Sequence, residues 1–281
     1  MCRMSALAAT ALAASMLSYA APAAAWPRLK APAANAARAG LSTTAQPPAP
    51  PPRGATPEER QMAARLDPLG RATFWAREAN LDPRDAQAGV NLAQALRALG
   101  NYPEAVAAAE RVLTIAPDNL DANLEIARSH IAQGRGFYAI EPARRAQALA
   151  PRDWRAPSLL GVALDQSARD EEALAAHRQA VALAPDNPAA VSNLAMFLAG
   201  HGDPTQAESL LRAACAKPGA TMQVRQNLAL VLGLQGRFDE AEKLARQDLP
   251  PELVANNMAY LRAAAQAGAP ARSWDSMRQP Q

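Results

Sequence analysis

Cysteine, histidine and aromatic side chains are scarce in this 281-residue chain, and each scarcity removes a class of function. Two cysteines, Cys2 and Cys215, are too few for a disulfide framework, and a cleaved leader would leave Cys215 alone. His130, His177 and His201 stand at no metal-ligand spacing with one another or with Cys215, so no metal site is expected. Aromatics make up only 4% of the chain, within an apolar share of 49% dominated by alanine. Such a composition excludes a disordered chain and favours helices whose backbones approach closely, so the expected fold class is all-α. No phosphate loop, nucleophile elbow, zinc motif or dinucleotide fingerprint occurs. Catalytic residues, cofactors and a small-molecule substrate are therefore not expected, and the chain reads as a non-enzyme.

The net charge of +3 raises the question of a nucleic-acid partner, and the placement of the charge answers it. Arg3, Arg28, Lys30, Arg38 and Arg53 all lie in the first 57 residues, which hold no acid, so the remainder carries a net −2. A slightly acidic body has no electrostatic claim on a phosphate backbone, and no nucleic acid is expected.

Arg3, the run of apolar and small residues from Ser5 to Leu17, and Ala23-Ala24-Ala25 follow the plan of a signal peptide over residues 1–25, cleaved after Ala25. The competing reading is an uncleaved anchor. Either one exports the body, to the periplasm, with membrane contact only indirect or through that segment. Cys2 precedes the apolar run, so no lipid-acceptor cysteine stands where an outer-membrane lipoprotein needs one. Residues 26–57, with Pro47, Pro48, Pro50, Pro51 and Pro52, favour extended polyproline conformations and read as a linker.

From Thr56 onward the signals are helical. Thr56-Pro57-Glu58-Glu59 supplies an N-cap, a first-turn proline and a capping-box glutamate. Leu92, Ile126, Leu160, Leu194 and Leu228 then recur every 34 residues, each followed by Ala93, Ala127, Gly161, Ala195 or Ala229. The same step governs Ala105, Ala139, Ala173, Ala207 and Ala241, Gly100, Gly134, Gly202 and Gly236 with Ala168 in the third slot, and Pro83, Pro117, Pro151 and Pro185. Alanine matches are cheap in so alanine-rich a chain, and the glycines and prolines carry the inference.

A 34-residue unit of this kind resembles the tetratricopeptide repeat (TPR). The resemblance implies an α-solenoid of about five helix-turn-helix repeats, near 86–117, 120–151, 154–185, 188–218 and 221–249, within a body spanning 84–250. Residues 58–83 read as a degenerate N-terminal repeat with Phe74 and Trp75 packing onto the first full one, residues 251–267 as a C-terminal capping helix, and residues 268–281 as a flexible tail. Prolines are expected only at helix ends, with none in the middle of a helix.

In such a stack the first helices line the concave face, and the resemblance assigns ligand contact to the same few positions of each. The candidates are Gln87, Asn91 and Gln94, then Asp121 and Arg128, Arg155, Asn193 and Met196, and finally Gln223 and Asn227, with Val90, Leu124, Ser158, Asp165 and Ser192 in the same phase. The expected partner is another protein, entering as an extended peptide or a helix. The lysine and asparagine set that clamps a terminal carboxylate in some TPR proteins is lacking. Arg128 and Arg155 are the preferred carboxylate contacts; the alternative is that they pair with Asp121 or Glu125 across neighbouring repeats. The recurring Asn91, Asn193 and Asn227 are equally open between a ligand and a neighbouring helix.

The stretch Arg225-Gln226-Asn227-Leu228-Ala229-Leu230-Val231-Leu232-Gly233-Leu234-Gln235-Gly236-Arg237-Phe238, with Asp248-Leu249-Pro250-Pro251 and Asn256 to Arg262, is more particular than a generic repeat. It resembles TadD, the TPR component of the Flp/Tad (tight adherence) pilus assembly system. That resemblance implies an exported scaffold aiding a secretin or its assembly partners, and carries over no catalytic residue.

Overall fold

The structure, a computed structural model, describes residues 53–217 and 220–266. The expected signal peptide, the linker up to residue 52 and the tail from 268 lie outside the described residues. Those described form thirteen helices and no strand. A short α1 (Pro57–Ala63) and α2 (Pro68–Leu81) precede five helix pairs. The pairs are α3 (Ala86–Ala98) with α4 (Tyr102–Ile115), α5 (Leu120–Ala132) with α6 (Gly136–Leu149), α7 (Arg155–Gln166) with α8 (Asp170–Leu183), α9 (Pro188–Gly200) with α10 (Pro204–Cys215), and α11 (Met222–Leu234) with α12 (Phe238–Ala245). A last helix, α13 (Pro251–Gln266), follows.

The turn inside each pair explains the glycine register. Gly100, Gly134, Gly202 and Gly236 adopt φ of 69° to 90°, and Ala168 adopts 55° in the corresponding slot of the third pair. In all five turns the next amide reaches back to the carbonyl five residues before it: Asn101 to Leu96, Arg135 to His130, Arg169 to Leu164, Asp203 to Leu198 and Arg237 to Leu232, at 2.9–3.0 Å. This is the Schellman closure, which needs a left-handed residue one position earlier. Glycine adopts that conformation freely, whereas Ala168 holds it against the clash of its own Cβ.

Prolines end the second helices. Asp82, Ala116, Ala150 and Ala184 follow α2, α4, α6 and α8 with φ near −133° to −143° and positive ψ, the extended conformation that a following proline imposes. New first helices start under side-chain caps from Asp85, Asn119, Asn187 and Thr221. Thr56 and Glu59 form the reciprocal capping box of α1. One expectation fails: Pro142 sits in the middle of α6. The helix still runs 14 residues, as long as α4 and α8, so the surrounding packing holds it despite the lost amide.

The core is a layer repeated along the stack. Leu92, Ile126, Leu160, Leu194 and Leu228 are all 3–8% exposed, and each contributes about 2 kcal/mol of burial. The small residue after each lets the two helices of a pair cross closely. At Gly161 the reason for glycine over alanine is the facing side chain: a Cβ there would lie 2.7 Å from the His177 ring. His177 occupies a slot held by Ala109, Ala143 and Ala245 in other repeats. A larger residue on one helix is thus matched by a smaller one on the other.

Phe74 and Trp75 stack edge-on with centroids 4.9 Å apart, and Trp75 joins Ala88, Val90 and Val112 in the N-terminal core. At the other end Val254, Met258 and Leu261 of α13 complete the core of the last pair, with Leu261 seated against Gly233. No described helix is long and apolar enough to cross a membrane.

Candidate functional site

The backbones of successive first helices approach closely, α3 to α5, α5 to α7, α7 to α9 and α9 to α11, whereas second helices among the described residues meet only through long side chains, such as Gln147 with Gln179 (2.9 Å) and Arg212 with Glu240 (3.1 Å). A stack in which only one layer closes up curves toward that layer, so the first helices line the inner face. Eight of the ten buried polar residues also lie on first helices, so this face carries a polar seam. Val90, Leu124, Ser158, Asp165 and Ser192, in groove phase by sequence, are buried between helices and unavailable to a ligand from outside.

The ten candidates mostly engage one another or near neighbours. Gln87 donates to Asn91 (3.1 Å) and Gln223 to Asn227 (2.9 Å), each along its own helix. Asn227 is buried, so its amide is structural. Asn193 donates to Ser158 of the preceding repeat (2.8 Å). Of the two readings open for the arginines, internal pairing is what the structure displays. Arg155 pairs with Asp121 across repeats (3.3 Å) and with Asp153 (2.5 Å), while Arg128 pairs with Glu125. Glu125, 1% exposed, also accepts from Arg97 Nε of the preceding repeat at 2.7 Å. Burial pushes the Asp153 carboxyl up, but the hydrogen bonds from Arg155 outweigh it and hold Asp153 below the usual carboxylate range. Gln94 is exposed and Met196 half-buried on the inner face.

Two arrangements escaped the sequence reading. A cavity of about 360 Å³ lies between α1, α2 and α3, walled by Arg60, Arg71, Trp75, Gln87, Asn91 and Gln94 among others. It brings three of the groove candidates together with an arginine that spacing gave no reason to choose. The available signal was the register itself, because Arg71 stands 34 residues before Ala105, in a slot that holds alanine in all five full repeats. The second is a meeting of Asp165, Asp170 and His201, whose ligand-type atoms lie within 4.8 Å of one another. His201 Nδ1 donates to the Phe197 carbonyl (2.8 Å), which turns Nε2 toward Asp165 (3.4 Å) and Asp170 (3.6 Å). The three are brought together from the ends of α7, α8 and α9, a proximity that linear spacing conceals.

At the C-terminal end Arg225 clamps Asp248 through two hydrogen bonds of 2.8 and 2.5 Å, and Gln226 adds a third at 3.4 Å. The Arg225 hydrogen bond holds Asp248 well below the usual carboxylate range. Cys215 is half-buried, and burial pushes its thiol up, away from a reactive thiolate.

Tetratricopeptide-repeat models match residues 96–136 and 171–219, and a further one matches 221–249. No curated protein matches the chain in sequence. Among solved structures, a thermophilic TPR protein of Thermus thermophilus is 25% identical, covering 63% of this chain and 99% of its own, with a TM-score of 0.57. PilF of Pseudomonas aeruginosa is 20% identical over 70% of this chain and 92% of its own, with a TM-score of 0.51. The Cut9–Hcn1 hetero-tetramer of the APC/C is 17% identical over 72% of this chain and 40% of the matched chain, with a TM-score of 0.58. Likenesses at these identities speak for architecture. In fold, the chain is an all-α tetratricopeptide-repeat solenoid.

Proposed function

We propose that this protein is a non-catalytic scaffold that holds another protein along its inner face, and that it serves assembly of a Flp/Tad-type pilus. The observation that carries the first half is the closed row of first helices, whose rims display amides, carboxylates and guanidinium groups along one concave surface. An extended peptide or a helix laid on such a row finds donors and acceptors at each repeat, which is how a solenoid gains area from small units.

The second half rests on the TadD-like segment. Residues 225–262 form one packed unit, α11 to α13, locked by the Arg225–Asp248 pair and by Leu261 against Gly233. In this reading the chain is exported, cleaved after Ala25, and works in the periplasm on a secretin or another assembly component.

Deletion of the gene, with complementation, tests this directly. Loss of surface pili, and recovery of a secretin or assembly protein crosslinked to the scaffold, is the expected result. Normal piliation together with a general envelope defect would replace the pilus role with that of a general periplasmic adaptor. N-terminal sequencing of the exported form should begin at Trp26.

A further inference from the structure

Arg71 is out of place in its register. The slot it occupies holds Ala105, Ala139, Ala173, Ala207 and Ala241 in the five full repeats, each 0% exposed, because a full-length first helix crosses there. Before α2 the corresponding helix is α1, of only seven residues. Arg71 lines the cavity of about 360 Å³ together with Arg60, Gln61 and Ala64 at the C-terminal end of that helix.

The arginine is not held there by an internal acid. Arg71 Nε is buried with no hydrogen-bond partner, and Arg71 forms no ion pair with any described residue. Of the nearby acids, Asp85 pairs with Arg60 (2.7 Å) and caps α3, and Glu78 accepts from Arg60 (3.1 Å) and the Ala55 amide (2.8 Å) through Oε2 while its Oε1 stays buried without a partner; neither forms an ion pair with Arg71. A buried guanidinium nitrogen without an acceptor is costly, and an anion reaching it removes that cost.

We propose that this pocket is the anchoring subsite of the groove, and that it takes the carboxylate of a glutamate or aspartate side chain presented by the bound partner. This rests on the scaffold reading above. Gln87, Asn91 and Gln94 follow one another along the α3 rim, in line with the inner face, so a chain lying on that face passes over the pocket mouth. A side chain places its carboxylate deep enough to reach Arg71 while its backbone stays at the amide rim. A free C-terminal carboxylate would drag peptide N–H and C=O groups into the cavity, where few partners await them. Trp75 supplies an apolar wall for the methylenes of the acidic side chain.

The test uses the mature chain and three fluorescein-labelled heptapeptide pools, random and non-acidic at the outer positions. One pool has a central glutamate and an amidated C terminus, one a central glutamine and an amidated C terminus, and one a central glutamine and a free C terminus. Anisotropy should show the glutamate pool binding about tenfold more tightly than the amidated glutamine pool, the size expected of a charge-assisted hydrogen bond. That preference should vanish in Arg71→Gln and survive in part in Arg71→Lys, with both variants keeping the wild-type melting profile. Equal binding of the glutamate and glutamine pools, or a preference that persists in Arg71→Gln, overturns the proposal. Preferential capture of the free-terminus pool overturns it in favour of chain-end recognition. Absence of binding by all pools while a cellular partner is still captured sinks the subsite and spares the scaffold; absence of both sinks the two together.

Discussion

His177 lies 1% exposed between α8 and the helices on either side, with its ring 5.4 Å from Phe197 and pressed against Gly161. Burial, helped by the nearby His201 charge, pushes its pKa down to about 4. An unfolded histidine titrates near 6.5. Between those values the unfolded chain binds a proton that the folded chain refuses, so stability falls as pH drops below about 6.5 and the loss is complete below about 4. A shift of that size corresponds to roughly 3 kcal/mol. His201, with the Asp165 and Asp170 carboxylates near it, is the ionisable neighbour that acts on His177. The expected outcome is a urea midpoint that drops steeply from about pH 7 to about pH 4 in the wild type and much less in His177→Leu, with His201→Gln as the control for its neighbour. Equal acid sensitivity in the wild type and His177→Leu would show that the carboxylates, not this imidazole, govern acid unfolding.

At the scale of the helix, Pro142 is the anomaly. It removes the amide that would donate to the Tyr138 carbonyl, and its ring crowds the preceding turn. Ala108 and Ala176 occupy the same register in α4 and α8, which shows that alanine fits this position in the stack. Pro142→Ala should therefore raise the stability by roughly 1–3 kcal/mol, less the small entropic gain that proline gives by stiffening the unfolded chain. Chemical denaturation checks this, and an unchanged or lowered midpoint would mean that the neighbours have adapted to the kink. The proline also marks where sequence reasoning stops. The hairpins were legible because their turns demand a left-handed residue and their crossings a small one, so glycine and alanine recur at fixed steps. Ala168, which takes φ 55° in a glycine slot, shows that position within the repeat outranks residue type. Whether a helix tolerates an internal proline is decided by neighbours in space. The same holds for the groove, where Arg155 finds Asp121 and Asn193 finds Ser158 one whole repeat away. Arg71 stayed hidden because the 34-residue pattern describes complete repeats, and its pocket lies beside the degenerate one that α1 and α2 form.

Over the whole molecule, cohesion passes from each repeat to the next, so the ends and the middle differ in a calculable way. Each central repeat is covered on both sides, whereas α1 meets α2 over a small area and α13 covers the last pair from one side only. Ion pairs between repeats are numerous, and apart from Arg97–Glu125, whose carboxylate is buried, most are exposed at one or both partners, as in Arg212–Glu240 (3.1 Å) and Lys217–Asp186 (2.6 Å). Exposed pairs contribute at most about 1 kcal/mol each and weaken in salt. Apolar coverage must then set the order of opening, with stability a sum of repeat and neighbour terms. Amide hydrogen exchange should accordingly find α1 and α13 least protected and α5 to α9 most, with protection free energies rising by a few kcal/mol from ends to centre. Raising the salt to about 1 M, where the screening length falls to roughly 3 Å, should leave that ranking intact. Uniform protection from end to end would mean a single cooperative block, and a ranking that reorders in salt would mean that the ion pairs hold the repeats together.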